Sequence, residues 1–224
     1  MSEANFATVA GLFARRHSCR AFLPGPVPQE TIARILAVAQ RTASWCNTQP
    51  WQVVVTRGDA TEHFRAALMA RADRPTGRDI GPEPHYEGVY LERRRACGFQ
   101  LYASLGIARG DRAASARQAG ENFRLFGAPH VAIVSTEAAL GPYGAIDCGA
   151  FVASFLLVAE SLGIASIAQA ALAGHADFIR AHFGLPATRR IVCGISFGYE
   201  DTRHPAKGFR TSRAELAEAV DWRG

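Results

Sequence analysis

The chain has 224 residues, which is enough for one substantial hydrophobic core without a second domain. With 48% hydrophobic and 20% charged residues it has a globular composition, and its net charge of +5 is dispersed, with few lysines, which argues against nucleic acid as a partner. Five scattered cysteines without a Cys-x-x-Cys pair argue against a disulfide framework and a zinc site, and residues 1–5 lack the basic-then-apolar order of a signal peptide, so a reduced, cytoplasmic protein is expected.

In chain order, a first helix is expected over residues 6–15. A Pro24-Gly25-Pro26 turn separates the polar run Arg16-His17-Ser18-Cys19-Arg20 from a second helix. That helix opens at Pro28, where a missing N–H costs nothing, and carries Ile32, Ile35, Leu36 and Ala39 at helical spacing. Residues 51–56 read as a strand, with Val53, Val54 and Val55 unbroken as in a strand buried on both faces. Asp59 with Glu62 has the form of a capping box for a helix through residue 72. Residues 73–88 are irregular and rich in Pro, Gly and Arg, the mark of a lid or binding loop.

Two helical segments follow, about 90–106 and 108–123, with Arg93-Arg94-Arg95 on a solvated face. A second strand is expected at 129–135 and a central, buried apolar helix at 145–162. Glu160 and Ser161 interrupt that helix, which argues against the roughly 20 mostly apolar residues of a membrane span. A short strand at 164–168, a helix at 175–183 and a third clear strand at 190–197 come next, and residues 203–224 start irregular and end in a short amphipathic helix. Helices with strands scattered between them give an α+β or α/β class with a single sheet.

The chemistry concentrates in three places. Arg16, Ser18 and Arg20, with His17 among them, offer forked guanidinium donors and a hydroxyl suited to phosphate oxygens; the bland alternative is arginines complementing a helix C-terminus. Arg210 and Arg213, around Thr211 and Ser212, form a second donor pair, and the two clusters make one anion site if the ends of the chain meet. Asn47 and Gln49, beside Ser44 and Trp45 and before Pro50-Trp51, supply the mixed donors and acceptors that a flat heterocycle edge needs, or else satisfy local backbone groups. Trp51 is expected in the core. No phosphate-binding glycine loop, nucleophile elbow or His-Glu-x-x-His is present, and the histidines are dispersed, so no metal is expected. The lack of a nucleophile–base pair fits a protein whose bound redox cofactor carries the chemistry.

The order Arg-x-Ser-x-Arg, helix, Ser44-Trp45-Cys46-Asn47-Thr48-Gln49-Pro50-Trp51 and apolar strand resembles the FMN-dependent nitroreductase family. Further matches are residues 122–129, 163–171, 193–199 and Phe209-Arg210-Thr211-Ser212-Arg213, so the resemblance covers nearly the whole chain. It implies an α+β fold with a central mixed sheet flanked by helices, in an intertwined homodimer that holds FMN between its subunits. By the same resemblance Arg16, Ser18, Arg20, Arg210 and Arg213 hold the FMN phosphate, while Asn47 and Gln49 face the isoalloxazine from one subunit. The Ala168-Gln169-Ala170-Ala171 stretch presents backbone N–H groups to flavin N5 and O4, and Arg124 approaches the O2 edge.

The implied activity is NAD(P)H-dependent reduction of nitroaromatic or quinone-type acceptors by ping-pong hydride transfer through flavin N5, with NADH or NADPH as reductant. Ala43-Ser44-Trp45-Cys46 departs from the Pro-Ser-Gly-Gly of many relatives, and two bulky residues there re-shape the pocket. Alternatives on the same fold are reductive dehalogenation, reduction of an activated double bond, or flavin binding without turnover.

Overall fold

The computed structural model describes residues 2–224. In chain order the elements are α1 (Ser2–Arg15), α2 (Gln29–Ala39), β1 (Gln52–Val55), α3 (Asp59–Met69), α4 (Gly88–Ser104) and α5 (Arg112–Gly120). There follow β2 (His130–Glu137), α6 (Gly141–Ser161), β3 (Ala165–Gln169), α7 (Ala176–Phe183) and β4 (Arg189–Gly198). The expected helices and strands are present with shifted ends, except that the helix expected at the end of the chain is only a three-residue 3-10 turn, Leu216–Glu218.

The strands form one sheet in the order β1-β2-β4-β3, and every pairing among them is antiparallel. The expected mixed character is reduced to one parallel bridge, Ser18 to Ser166. The sheet is covered on both faces, and β2 shows why residues 131–134 at its centre are all apolar. Ala132 and Val134 join Ile35, Phe151 and Phe155 on the α2/α6 face, while Val131 and Ile133 join Phe64, Leu68 and Ile179 on the α3/α7 face. A bulge opposite Val134 and Ser135 turns β4 over, so Ile191 and Cys193, two residues apart, enter opposite cores.

The expected capping box at Asp59 and Glu62 does not form. Gly58 stands at the cap of α3, so Asp59 is already inside the first turn, and the Glu62 carboxylate pairs with Arg65 instead. Helix α6 is longer than expected and is not buried all round. Gly144, Cys148, Phe151, Val152, Phe155 and Ala159 form its buried stripe, and a Cβ at Gly144 would lie 2.6 Å from the Thr136 hydroxyl, so only glycine allows this contact. Tyr143 and Ile146 point away, Ile146 with 62% exposure. Among the described residues this is the one helix long and apolar enough to cross a membrane, over residues 138–161, and 33% of its apolar window is buried within the chain. Helix α1 buries no residue and carries Phe6, Val9 and Phe13 exposed at helical spacing.

Candidate cofactor site

Residues 16–23 run across the ends of β3 and β4. The Cys19 N–H donates to Ser166 O at 3.1 Å, Phe22 N–H to Phe126 O at 3.2 Å and Leu23 N–H to Tyr199 O at 2.8 Å. Cys19 and Phe22 are thereby buried against Phe126, Ala128 and Ile167. Burial pushes the Cys19 thiol up to about 12, so it stays protonated, while Ser18 and Arg20 line the cavity beyond. Gly198 lies under this segment: a Cβ there would approach Pro129 Cδ to 2.7 Å and Phe22 Cδ1 to 3.5 Å.

The C-terminal arm returns to the same place. A short turn, Pro205–Gly208, buries Ala206 and leads into buried Phe209, whose ring lies 5.0 Å under the Arg20 guanidinium carbon. Arg16, Ser18, Arg20, Arg210, Thr211 and Arg213 then share a cavity of about 420 Å³. Among the described residues none of its four arginines has a carboxylate partner. Their donors rest on carbonyls: Arg20 on Ser18 O at 3.0 Å, Arg210 on Phe209 O at 2.9 Å, Arg213 on Ser212 O at 2.9 Å. Burial draws the Arg20 pKa below the ordinary arginine value, a cost that a bound anion reverses. His17 lines the same cavity, but its ring is engaged by Glu200 at 2.9 Å and Arg15 O at 3.2 Å, so it braces the segment.

Arg20 also borders a second hollow of about 350 Å³ that contains Arg124, Phe126 and Gly127. Arg124 is exposed and pairs with Glu121 at 3.5 Å. Beyond it, the Gln169 side chain is turned into the core. Its Nε2 donates to Asn122 O at 2.8 Å, and its Oε1 accepts from the Ser196 hydroxyl at 2.5 Å. What this turn offers outward is backbone at exposed Ala170 and half-buried Ala171.

A third cavity, about 670 Å³, lies between that turn and the 73–88 loop, lined by Arg78, Phe123, Ala171, Gly174 and His175 among others. The base of the loop is pinned. Thr76 and Gly77 N–H groups donate to Gly174 O at 2.9 and 3.2 Å, and the buried Asp79 carboxylate accepts from Ile191 N–H at 2.8 Å and from Arg180 and Arg190. The free part is therefore shorter than the irregular stretch in the sequence.

The 44–49 loop lies apart from all of these. Cys46, Asn47 and Gln49 have φ of 52°, 55° and 46°, left-handed values that cost non-glycine residues about 1–3 kcal/mol each when sparsely populated. The loop is held by the Ser44 hydroxyl, which accepts from Gln49 N–H at 2.9 Å, and by Asp147, which accepts from Trp45 N–H at 3.0 Å. Trp45, 58% exposed, packs on Tyr143 with ring centroids 4.4 Å apart, whereas Trp51 is buried against Phe151, as expected. Ser44, Trp45, Asn47 and Gln49 line none of the three cavities. Sequence reading missed Phe209 as the support of Arg20 and His175 as a lining residue, whereas Thr211 lay in its second donor cluster and Arg78 in its 73–88 loop. The position of Phe209 beside Arg210 was its one hint in the sequence.

The nitroreductase family model matches residues 13–199. The chain is 38% identical over 215 residues to nitroreductase NfnB of Mycolicibacterium smegmatis, covering 93% of this chain and 90% of the relative. It is 32% identical over 206 residues to a 4-nitrobenzoate reductase of Pseudomonas putida, covering 92% and 90%. A crystal structure of the FMN and NADPH-dependent nitroreductase NfnB from Sphigopyxis sp. strain HMH superposes with a TM-score of 0.92 at 33% identity, covering 96% of this chain and 99% of that one.

Proposed function

This chain belongs to the nitroreductase family, and we propose on that footing that it is an FMN-dependent NAD(P)H oxidoreductase that reduces nitroaromatic or quinone-type acceptors. The observation that carries the cofactor assignment is the cavity of four arginines without a carboxylate partner, joined by two hydroxyl residues. A phosphate monoester near neutral pH bears about 1.5 to 2 negative charges and presents three acceptor oxygens, which matches that donor set. Arg16, Ser18, Arg210 and Arg213 hold the phosphate. Arg20, which borders both hollows, spans from phosphate to ring, and Arg124 puts a cation beside the pyrimidine edge. Ala170 and Ala171 present backbone to the ring, and the inward Gln169 keeps their turn rigid.

When bound, FMN would supply the redox chemistry, with NADH or NADPH as hydride donor and the nitroaromatic or quinone as acceptor. The chain's contribution is to orient both substrates, supply fixed positive charge and exclude water. The 73–88 loop acts as the lid over a single domain that spans the chain, with residues 203–224 as the arm that carries Arg210 and Arg213. The working unit is a homodimer. The exposed apolar stripe of α1, the exposed face of α6 and the remote, strained 44–49 loop support this, because a second copy covers the apolar faces and brings Asn47 and Gln49 to the flavin.

The test is a visible spectrum of the FMN-reconstituted, desalted protein, followed by anaerobic NADPH and then nitrobenzene. Flavin bands should persist, bleach with NADPH and return with nitrobenzene. A colourless protein removes the cofactor assignment, and a flavin that neither NADPH nor NADH reduces makes the chain a flavin binder without turnover.

A further inference from the structure

We infer that Arg78 selects the acceptor, favouring aromatic substrates that carry a carboxylate on the ring. The inference rests on the reading just given, in which Ala170 and Ala171 face the flavin. Arg78 lies in the cavity of about 670 Å³ next to Ala171, and its Nη1 donates to Ala170 O at 3.2 Å, so its charged head stands beside the reacting face. The side chain is 27% exposed, intermediate between a solvated surface arginine and a buried structural one.

The backbone that carries Arg78 is fixed on both sides, and the guanidinium rests on Ala170 O. On one side Gly77 N–H is bound to Gly174 O at 3.2 Å, and on the other Asp79 is locked by Ile191 N–H, Arg180 and Arg190. Asp79 is thus unavailable to neutralise its neighbour. The acid that faces Arg78 is Glu83, with Oε1 3.8 Å from Nη2, and it is exposed, so it occupies the anion position loosely. The lining beside it is aromatic: Phe123 meets His175 edge-on, with centroids 5.1 Å apart and planes at 86°. His175 is buried and its Nδ1 has no hydrogen-bond partner. Burial, and then the Arg78 charge, lower its pKa, which keeps the ring neutral and leaves Arg78 as the cation of this wall. A fixed planar fork beside an apolar aromatic wall matches a benzoate-like anion, because two carboxylate oxygens meet two N–H groups while the ring packs on Phe123.

Two titrations of the oxidised, FMN-loaded protein, followed by flavin absorbance, test this with benzoate and its neutral isostere benzamide. The parent should bind benzoate about tenfold or more tighter than benzamide, since a charge-assisted contact exceeds a neutral one by that much. Arg78→Gln should abolish the preference, and Arg78→Lys, which keeps the charge but loses the fork, should keep only part of it. In turnover, Arg78→Gln should raise KM for 4-nitrobenzoate about tenfold while KM for nitrobenzene and for NADPH stays within about twofold. Glu83→Gln should tighten benzoate binding, and it carries the test if Arg78→Gln fails to load flavin. Equal losses for charged and neutral ligands, a change confined to NADPH, or benzoate binding weakened or unmoved by Glu83→Gln would overturn the role of Arg78. Nitrobenzene turnover by the parent, measured alongside, stands or falls with the enzymatic reading alone.

Discussion

Two polar regions of this chain have similar chemistry and opposite fates. The 16–20 segment is laced to β3, β4 and the C-terminal arm, and its arginines converge with two others on one cavity inside a single chain. The 44–49 loop, equally polar, is strained, exposed from Trp45 to Gln49 and bonded within its own region through Ser44, Gln40 and Asp147. The first gathers the donors assigned above to a phosphate, and the second keeps its amides exposed at left-handed backbone positions. The difference teaches how one chain presents polar groups: the 16–20 arginines are gathered by the chain's own hydrogen bonds, while the 44–49 loop turns its amides away from that cavity, and the proposed second copy rests on this.

The most damaging change to this contrast should be Arg16→Gln combined with Arg210→Gln. Two charge-assisted contacts of about 1.5–3 kcal/mol each imply a loss in FMN affinity of about a hundredfold or more, read by fluorescence titration. A loss under about tenfold would mean that the clusters do not share one phosphate. Gly198→Ala comes next. Its methyl group would meet Pro129 Cδ at 2.7 Å beneath the 16–23 segment, and overpacking of this kind costs about 1–3 kcal/mol, visible as a lower Tm. An unchanged Tm would show that the segment floats free of the sheet.

From the side of the loop, Ile146→Glu on the exposed face of α6 should convert a dimer into monomers in sedimentation. Turnover should fall about tenfold or more, with FMN affinity changed less than in the double arginine variant. Full activity in a monomer would make the 44–49 loop irrelevant to catalysis.

The thiols give the smallest and finest reading. Cys46, in the loop, is exposed, whereas Cys19, Cys148 and Cys193 are buried, each pushed up to about 12 by burial. Cys46 should react with a thiol reagent faster in the Ile146→Glu monomer than in the parent, while those three stay unreactive until unfolding. The same shifts set the alkaline limit. Between their ordinary value of 9.0 and about 12 the folded state keeps protons that the unfolded state releases, so stability should be unaffected below that window and fall with rising pH through it. A denaturation midpoint flat from pH 9 to 11 would contradict the burial of these thiols.

Much of this was legible in residues alone. Helical spacing in Ile32, Ile35 and Ala39, the unbroken valines of β1 and the proline before α2 are local signals, and each element formed where they stand. The exceptions are equally local in cause. The Asp59 cap failed because Gly58 took the turn position, and α6 runs longer because its N-terminal turn packs tightly at Gly144 against Thr136. Gln169 looks like a ligand in a list of polar residues. Its amide is spent on Asn122 and Ser196, partners 47 and 27 residues away, which no window of sequence brings together.

The sequence by itself determined the element order, the α+β class and the chemistry of each cluster, because periodicity and donor type reside in neighbouring residues. Tertiary structure alone decided that Arg16 and Arg213 face one cavity. That requires β3 and β4 to pair, the 16–23 segment to lie across their ends and Phe209 to seat beneath Arg20. Only folding could also leave Asn47 and Gln49 stranded on the far side of their own chain. Their direction is set by the left-handed turn at Cys46 and by Asp147 on α6, a contact made across 102 residues of sequence.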